Sequence, residues 1–437
     1  MSLKHFNILK ANWFIFLISL ILLLTSCSKQ NKSKYVLTYW SSNNTYEIKY
    51  SKMMVEQWNK THPDKLIKYQ PVPEGQSSEE VILAAVVGKT TPDIYSNMWQ
   101  GDVEQYAHAG VVLPLDKFSN FYKFMYARSD SSVLDEVKSQ DGHIYQVPWK
   151  INPIMMIYNS KLLSHLGINN PPKTYAEFYK DALILKNKSL DKNGYVDRWF
   201  GYSEVLPTWW QRLFDFYPLY LAASGGKPLI KNNKAAFNNK YSLQVFNFLR
   251  TLYKDNYFSK ERLSAQQDIF LSGVIASRFT GPWDIAHTKK FAPKGFEFNF
   301  STMPVPDSSD EEPITYCDPK NIVIFNTCKN PEIAWEFLKF FLNEKNEKKF
   351  LEITNQLPRR KDLLTNPLFD EYFNKNPLMM KFAEQTKRIR GIEQALYFKE
   401  VFDIISQEYE ASVIYGVKST KQALDDAEKA VNLLYLK

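Results

Sequence analysis

Cysteine is nearly missing from this chain: three in 437 residues, at 27, 317 and 328. No CxxC pair and no Cys/His zinc pattern can be built from them. Histidine is scarce too, with six scattered at 5, 62, 108, 143, 165 and 287, and none has the HExxH spacing of a metal-binding helix. There is no GxSxG nucleophile elbow and no dinucleotide fingerprint. Gly88-Lys89-Thr90 ends like a phosphate loop, but the glycine required five residues before Gly88 is Leu83. Asp191-Lys192-Asn193-Gly194 lacks the ligand series of a calcium loop and reads as a turn. No cofactor and no metal are therefore expected. Basic residues are scattered; the tightest cluster, Lys387-Arg388-Ile389-Arg390, reads as a solvated helix face, so no nucleic-acid partner is expected. Internal repeats and long low-complexity segments are also absent.

What is present describes an ordered globular protein. Hydrophobic residues make up 44% and charged residues 23%. The length exceeds what one ordinary core supports, so two or more domains are expected. Aromatics reach 15%, with 10 Trp, 26 Tyr and 30 Phe, a surplus that suits gripping flat, partly apolar ligands.

The N-terminus reads as a leader. Lys4 and Lys10 precede an apolar run, Trp13 to Leu24, that is too short to span a bilayer comfortably. It ends in Leu24-Thr25-Ser26-Cys27, which resembles a bacterial lipobox. The predicted leader is 1–26, with Cys27 lipidated and 27–34 a polar tether. The leader holds no acid, so its loss takes the formal charge from +8 to +6. The chain is thus expected to be exported and lipid-anchored to a bacterial membrane, facing periplasm or exterior. Cys317 and Cys328 then remain, either as a disulfide, which export permits, or as two separate thiols.

Along the chain, Lys34–Trp40 reads as a strand, then a helix with Tyr46, Tyr50, Met53, Met54 and Trp58 on one face, then a strand from Leu66 to Val72. This β-α-β start belongs to a mostly parallel sheet. Gly110 ends a helix begun near Asp102, and another strand begins at Thr91–Tyr95. The segment Asp141–Phe178 holds two strand-like runs joined by a crossing between Pro148 and Pro153. The pair Thr174 and Glu177 has capping-box spacing after it. Asn330-Pro331 signals a helix start, as does Ser419 with Gln422. Trp58, Trp199 and Trp335 are assigned to packing.

Several ordered signposts carry a family likeness: the lipobox at Cys27, Tyr39-Trp40, Gly88 to Ile94, Ala109 to Asp116, Asp141-Gly142 through Pro148 to Tyr158-Asn159, and Pro171 to Thr174. Gly281-Pro282-Trp283, the helix after Pro331, and Gln356-Leu357-Pro358 complete them. In this order they resemble the extracellular solute-binding proteins of ABC importers, in the branch that takes up oligosaccharides and glycerol phosphates. The resemblance implies an α/β, two-lobed periplasmic-binding-protein fold of type II, with an interlobe ligand cleft and hinge crossings. Lobe 1 would hold 35–148 and 302–345, lobe 2 149–301 and 346–437. It implies a monomeric receptor, not an enzyme, that closes on its solute by hinge rotation. It would deliver that solute, a carbohydrate, to the transmembrane subunits of an ABC permease.

A sugar offers apolar C–H faces and a rim of hydroxyls, so its site needs aromatic platforms beside polar groups. In such a fold these belong on strand-end loops facing the cleft. The candidates are Trp40 with Asn43 and Asn44, Trp99 with Gln100, Trp149 with Asn152, Trp209 with Trp210, Trp283 with Asp284, and, by the resemblance, Tyr397. Trp149 and Trp283 are preferred because each sits in a proline-bounded loop. Arg359 and Arg360 read as a solvated loop unless the ligand carries phosphate. A carboxylate pair for glycoside cleavage is assembled only in space. A tethered polysaccharide-degrading enzyme is therefore the alternative, with a surface lipoprotein contacting host or matrix as a third reading.

Overall fold

The computed structural model describes residues 35–73, 77–190, 196–263, 268–309 and 312–436. The leader, Cys27, the tether and the Asp191–Gly194 turn lie outside them. Two sheets organise the fold. The larger has six strands in the order Leu357–Pro358, Val147–Ile151, Lys320–Ile324, Ile94–Trp99, Leu37–Ser41, Ile67–Pro71. The smaller has four: Phe298–Ser301, Met155–Asn159, Ile275–Thr280, Trp199–Gly201. Each sheet is covered by helices, giving two α/β lobes.

The expected β-α-β start is present. Leu37–Ser41 runs parallel to Ile67–Pro71 and to Ile94–Trp99, with the helix Thr45–Thr61 between the first two. Tyr50, Met54 and Trp58 bury the inner face of that helix, while Tyr46 emerges at its first turn. The Thr174–Glu177 capping box opens the helix Tyr175–Lys188, with both reciprocal bonds formed. Ser419 accepts the Gln422 N–H at the start of Thr420–Leu434. Asn330 behaves differently from the expectation. Pro331 does occupy the first turn, but the Asn330 side chain donates to the Val36 carbonyl instead of capping its own helix.

The chain passes from the large sheet to the small one between Ile151 and Met155. The boundary expected after 148 falls inside a strand that continues to Ile151. Two further segments pass between the sheets, between Ser301 and Lys320 and again after Pro358. The crossings are tied side by side. Asn152 N–H donates to the Cys317 carbonyl at 2.6 Å, and Ile154 N–H to Tyr316 at 2.8 Å. Leu357–Pro358 pairs with Ile151 and Lys150, and Thr315–Tyr316 pairs with Ile389–Arg390. The large-sheet lobe also reaches past 345. Its helix Glu344–Thr354 packs Phe350 against Tyr50 and Trp149, at ring separations of 5.3 and 4.7 Å. Cys317 and Cys328 are both buried free thiols, which settles the choice left open by the sequence.

Candidate functional site

The strands Leu37–Ser41 and Ile94–Trp99 point their C-terminal ends at a cavity of about 450 Å³. Ends of parallel strands are where an open α/β sheet leaves a crevice. From the large-sheet lobe the cavity takes Ser42, Asn44, Tyr46, Glu47, Asn97 and Lys150. Asn152, Asp318, Lys320 and Gln356 enter from the crossings and the ends of their flanking strands.

Polar groups at its base hold one another. Lys150 and Glu47 form a buried ion pair. Ser42 Oγ donates to Glu47 at 2.6 Å and Gln356 Nε2 donates to it at 2.7 Å. Burial alone would push the Glu47 carboxyl up; the Lys150 charge and these hydrogen bonds hold it below the usual carboxylate range. Burial also draws the Lys150 ammonium below the usual lysine range, against the pull of Glu47. Lys320 lies 3.6 Å from Glu79 and 3.8 Å from Asp318. Asn152 is the exception. It is 4% exposed, and its Oδ1 has no hydrogen-bond partner among the described residues.

The opposite wall is one face of the helix Trp283–Phe291: Trp283, Ala286, His287, Lys290 and Phe291, at helical spacings of three and four. This helix is fastened to the strand before it. Arg278 donates to both Asp284 oxygens, at 2.9 and 2.8 Å, and to Asp268 at 3.0 Å; His287 lies 3.2 Å from Asp268. Trp283 remains 40% exposed, edge-on to Phe214 at 6.0 Å. Its ring lies so close over Gly281 that a Cβ there would stand 2.1 Å from it. On the other side of Trp283 is a second cavity of about 340 Å³, lined by Tyr202, Ser203, Glu204, Gln211, Phe214, Arg278, Phe279 and Thr280.

Of the residues proposed from sequence, Asn44, Asn152 and Trp283 meet at the main cavity. Asn44 spends its side-chain oxygen on capping the helix Thr45–Thr61. The others are placed elsewhere. Trp149 is a correction: it is 2% exposed, packed between Phe341 and Phe350 in the large-sheet core. Asp284 is also a correction, buried and committed to Arg278. Trp40 is half-buried over a separate hollow with Lys68, Gln70 and Thr90 to Pro92. Asn43 is half-buried in its turn, 3.5 Å from the Pro73 carbonyl.

Trp99 and Trp209 touch each other between the lobes, ring centroids 4.9 Å apart. Trp99 also donates to Tyr316 Oη at 3.0 Å. Lys399 stands over both rings, 5.8 and 5.4 Å away, and pairs with Asp102 at 2.8 Å. Gln100 is buried, donating to Glu136 and the Ile392 carbonyl. Trp210 is exposed, and Tyr397 lies against Tyr435 at 6.0 Å. Arg359 and Arg360 are not solvated: Arg359 pairs with Glu136, and Arg360 with Glu347 and Asp362.

Sequence reasoning missed Glu47, Lys150, Asn97, His287, Lys290, Phe291, Asp318 and Lys320. For three of them a signal existed. His287 and Phe291 follow Trp283 at i+4 and i+8, and Lys150 precedes Asn152 by the two-residue period of a strand.

Two helix-covered sheets joined by three bonded crossings, with a cavity lined from both lobes, define a hinged solute-binding protein. The chain belongs to the bacterial extracellular solute-binding protein family, whose pattern matches residues 43–348. Members are exported proteins. A maltotriose-binding protein of Pyrococcus abyssi is 24% identical over 75% of this chain and 67% of its own. The structure is similar to an uncharacterised protein of Listeria monocytogenes, with a TM-score of 0.80 and 29% identity, covering 91% of this chain and 99% of that one. It also resembles the sugar-binding protein MalE of Xanthomonas citri, with a TM-score of 0.77 and 19% identity over 92% and 97%.

Proposed function

We propose that this protein is a membrane-anchored receptor that captures a carbohydrate and delivers it to the permease of an ABC importer. The observation that carries this reading is Trp283, a half-exposed indole standing between two cavities that mix aromatic and polar side chains. An apolar sugar face stacks on such a ring while its hydroxyls replace lost water hydrogen bonds. Asn152 Oδ1, buried without a partner at the crossing, accepts one of those hydroxyls. The names of the sugar-binding relatives support the same class of solute. The side-by-side crossings serve as the hinge, so a ligand touching Asn152 on one side and Trp283 on the other draws the lobes together. Lipidation at Cys27 tethers the receptor beside its permease, and it works as a monomer without turnover.

The test is a thermal-shift screen of the purified protein against a sugar panel, because a ligand of the folded state alone raises the melting temperature. A saccharide should raise it, and Trp283→Ala should abolish the shift while leaving the unliganded melting temperature in place. Product release from any oligosaccharide would overturn the receptor reading. Failure of every sugar to bind would overturn the carbohydrate assignment.

A further inference from the structure

Two basic clusters lie outside the site described above: Arg359-Arg360-Lys361 after the third crossing, and Lys387-Arg388 with Arg390. The second is not a helix face, since Thr386–Arg388 is a single tight turn and Ile389–Arg390 a strand. The two clusters meet at a third cavity, of about 250 Å³. Its walls come from both lobes. Ser129, Ser132 and Glu136 lie on or beside the helix Ser131–Val137, whose Leu134 and Val137 belong to the large-sheet core. Thr386 and Lys387 follow the helix Pro377–Gln385, whose Phe382 packs on Phe300 of the small sheet at 4.7 Å. Ile151, where the first crossing begins, and Arg359 of the third also line it. Lys150 lines the main cavity and Ile151 this one. Consecutive strand residues face opposite ways, so this cavity lies behind the hinge.

Its polar groups are incompletely satisfied. Ser129 is 3% exposed and Arg359 5%, yet Ser129 Oγ and Arg359 Nε have no hydrogen-bond partner among the described residues. A buried donor left without a partner is costly. The rest of the Arg359 guanidinium is spent on Glu136, at 3.0 and 2.9 Å, which matches that carboxylate's charge. Arg360 is likewise spent on Glu344, Glu347 and Asp362. Lys361 donates to the Tyr126 carbonyl at 2.7 Å, and neither it nor Lys387 has an ion pair among the described residues. Against these two ammonium groups stands one unpaired carboxylate, Asp130, at the exposed rim. No aromatic ring among the described residues lines the cavity, so neither a sugar face nor a base has a platform there. The volume is below the roughly 300–1,000 Å³ of sites for drug-sized ligands, which leaves a compact group.

We infer that this cavity binds a phosphate group, free or singly esterified, behind the hinge and in touch with both lobes at once. Ser129 Oγ and Arg359 Nε donate to its oxygens, and Lys387 and Lys361 match its charge. The inference is independent of the carbohydrate reading, because it uses none of the residues that line the main cavity.

The test is calorimetric titration of the purified protein with inorganic phosphate and, separately, methyl phosphate, at an ionic strength held constant with chloride. Saturable binding at one site is expected. Tighter binding of phosphate marks the free anion as the occupant and tighter binding of methyl phosphate marks an ester; either supports the site. Lys387→Gln and Ser129→Ala should each weaken binding about tenfold, the worth of one hydrogen bond to a charged group, and Lys387→Arg should retain it. Lys387 is exposed, so an unchanged melting temperature of its unliganded variants will show that they fold. No response beyond that of chloride would overturn the inference, as would affinity unchanged in both Lys387→Gln and Ser129→Ala. Loss of binding in Lys290→Gln, which removes a cation of the main cavity, would place the anion in that cavity and overturn it too.

Discussion

Lys150→Met isolates the buried charge at the base of the cavity. Lys150 and Glu47 are both almost wholly buried, and each is the other's charge partner. Methionine preserves most of the volume and removes the ammonium, so Glu47 is left as an uncompensated buried carboxylate. Breaking such a pair from one side typically costs about 3–5 kcal/mol. Part of that is offset here. Ser42 and Gln356 still donate to the carboxylate, and Glu47 lies in the first turn of its helix, where the backbone dipole favours negative charge. The expected loss at pH 7 is therefore about 3 kcal/mol.

The pH dependence fixes the mechanism. In the native protein the Glu47 carboxyl is depressed, so its contribution is present above the unfolded value of 4.5 and is lost as pH falls through the folded value. Without Lys150, burial outweighs the two remaining hydrogen bonds and raises the carboxyl. The deficit of the variant should therefore shrink as pH falls from 7 toward 4.5. Urea unfolding followed by tryptophan fluorescence reads this, since Trp58, Trp149 and Trp335 all lie in the core of the same lobe. Pairing Lys150→Met with Glu47→Gln should recover at least half of the loss. A deficit below about 1 kcal/mol at pH 7, or one unchanged with pH, would refute the reasoning.

Trp149→Ala should cost about 3–5 kcal/mol by emptying the space between Phe341 and Phe350, with ligand affinity unchanged in titration at a temperature where the variant is folded. Gly281→Ala should displace the Trp283 ring and weaken saccharide binding about tenfold without touching an aromatic residue; calorimetry and a melting curve separate the two effects. Burial raises the Asp181 carboxyl to about 6. Its neutral form is the one the fold favours, and that stability is lost as pH rises through the raised value. Asp181→Asn should therefore stabilise by about 1–2 kcal/mol at pH 8 and by nothing at pH 4, read from urea midpoints.

Local devices were legible in the sequence. The Thr174 capping box and the opening β-α-β unit rest on local patterning and are present; the crossing is present too, but it begins after Ile151, with Pro148 inside the strand before it. Trp283 was also legible, because Gly281 and Pro282 force a turn at the end of a strand. Trp149 failed for a physical reason. Alternate residues of a strand face opposite sides, and nothing in the segment says which side is core, so Lys150 took the cavity and Trp149 the interior. The Trp99–Trp209 contact and the Arg359–Glu136 ion pair join residues far apart in sequence. No local pattern encodes them; they follow from how the two sheets sit beside one another.

The large sheet has a consequence for the order of folding. Its interior strand Lys320–Ile324 lies between Ile94–Trp99 and Val147–Ile151, and its two edge strands are Leu357–Pro358 and Ile67–Pro71. A chain emerging from the N-terminus therefore makes three neighbouring strands early, then waits more than 200 residues for the strand that joins them to the fourth. Until that segment arrives the sheet has an open seam, and its long-range contacts cannot repay the entropy of closing so large a loop. Completion of the large sheet is therefore expected to wait for Lys320–Ile324, long after its first three strands have been made.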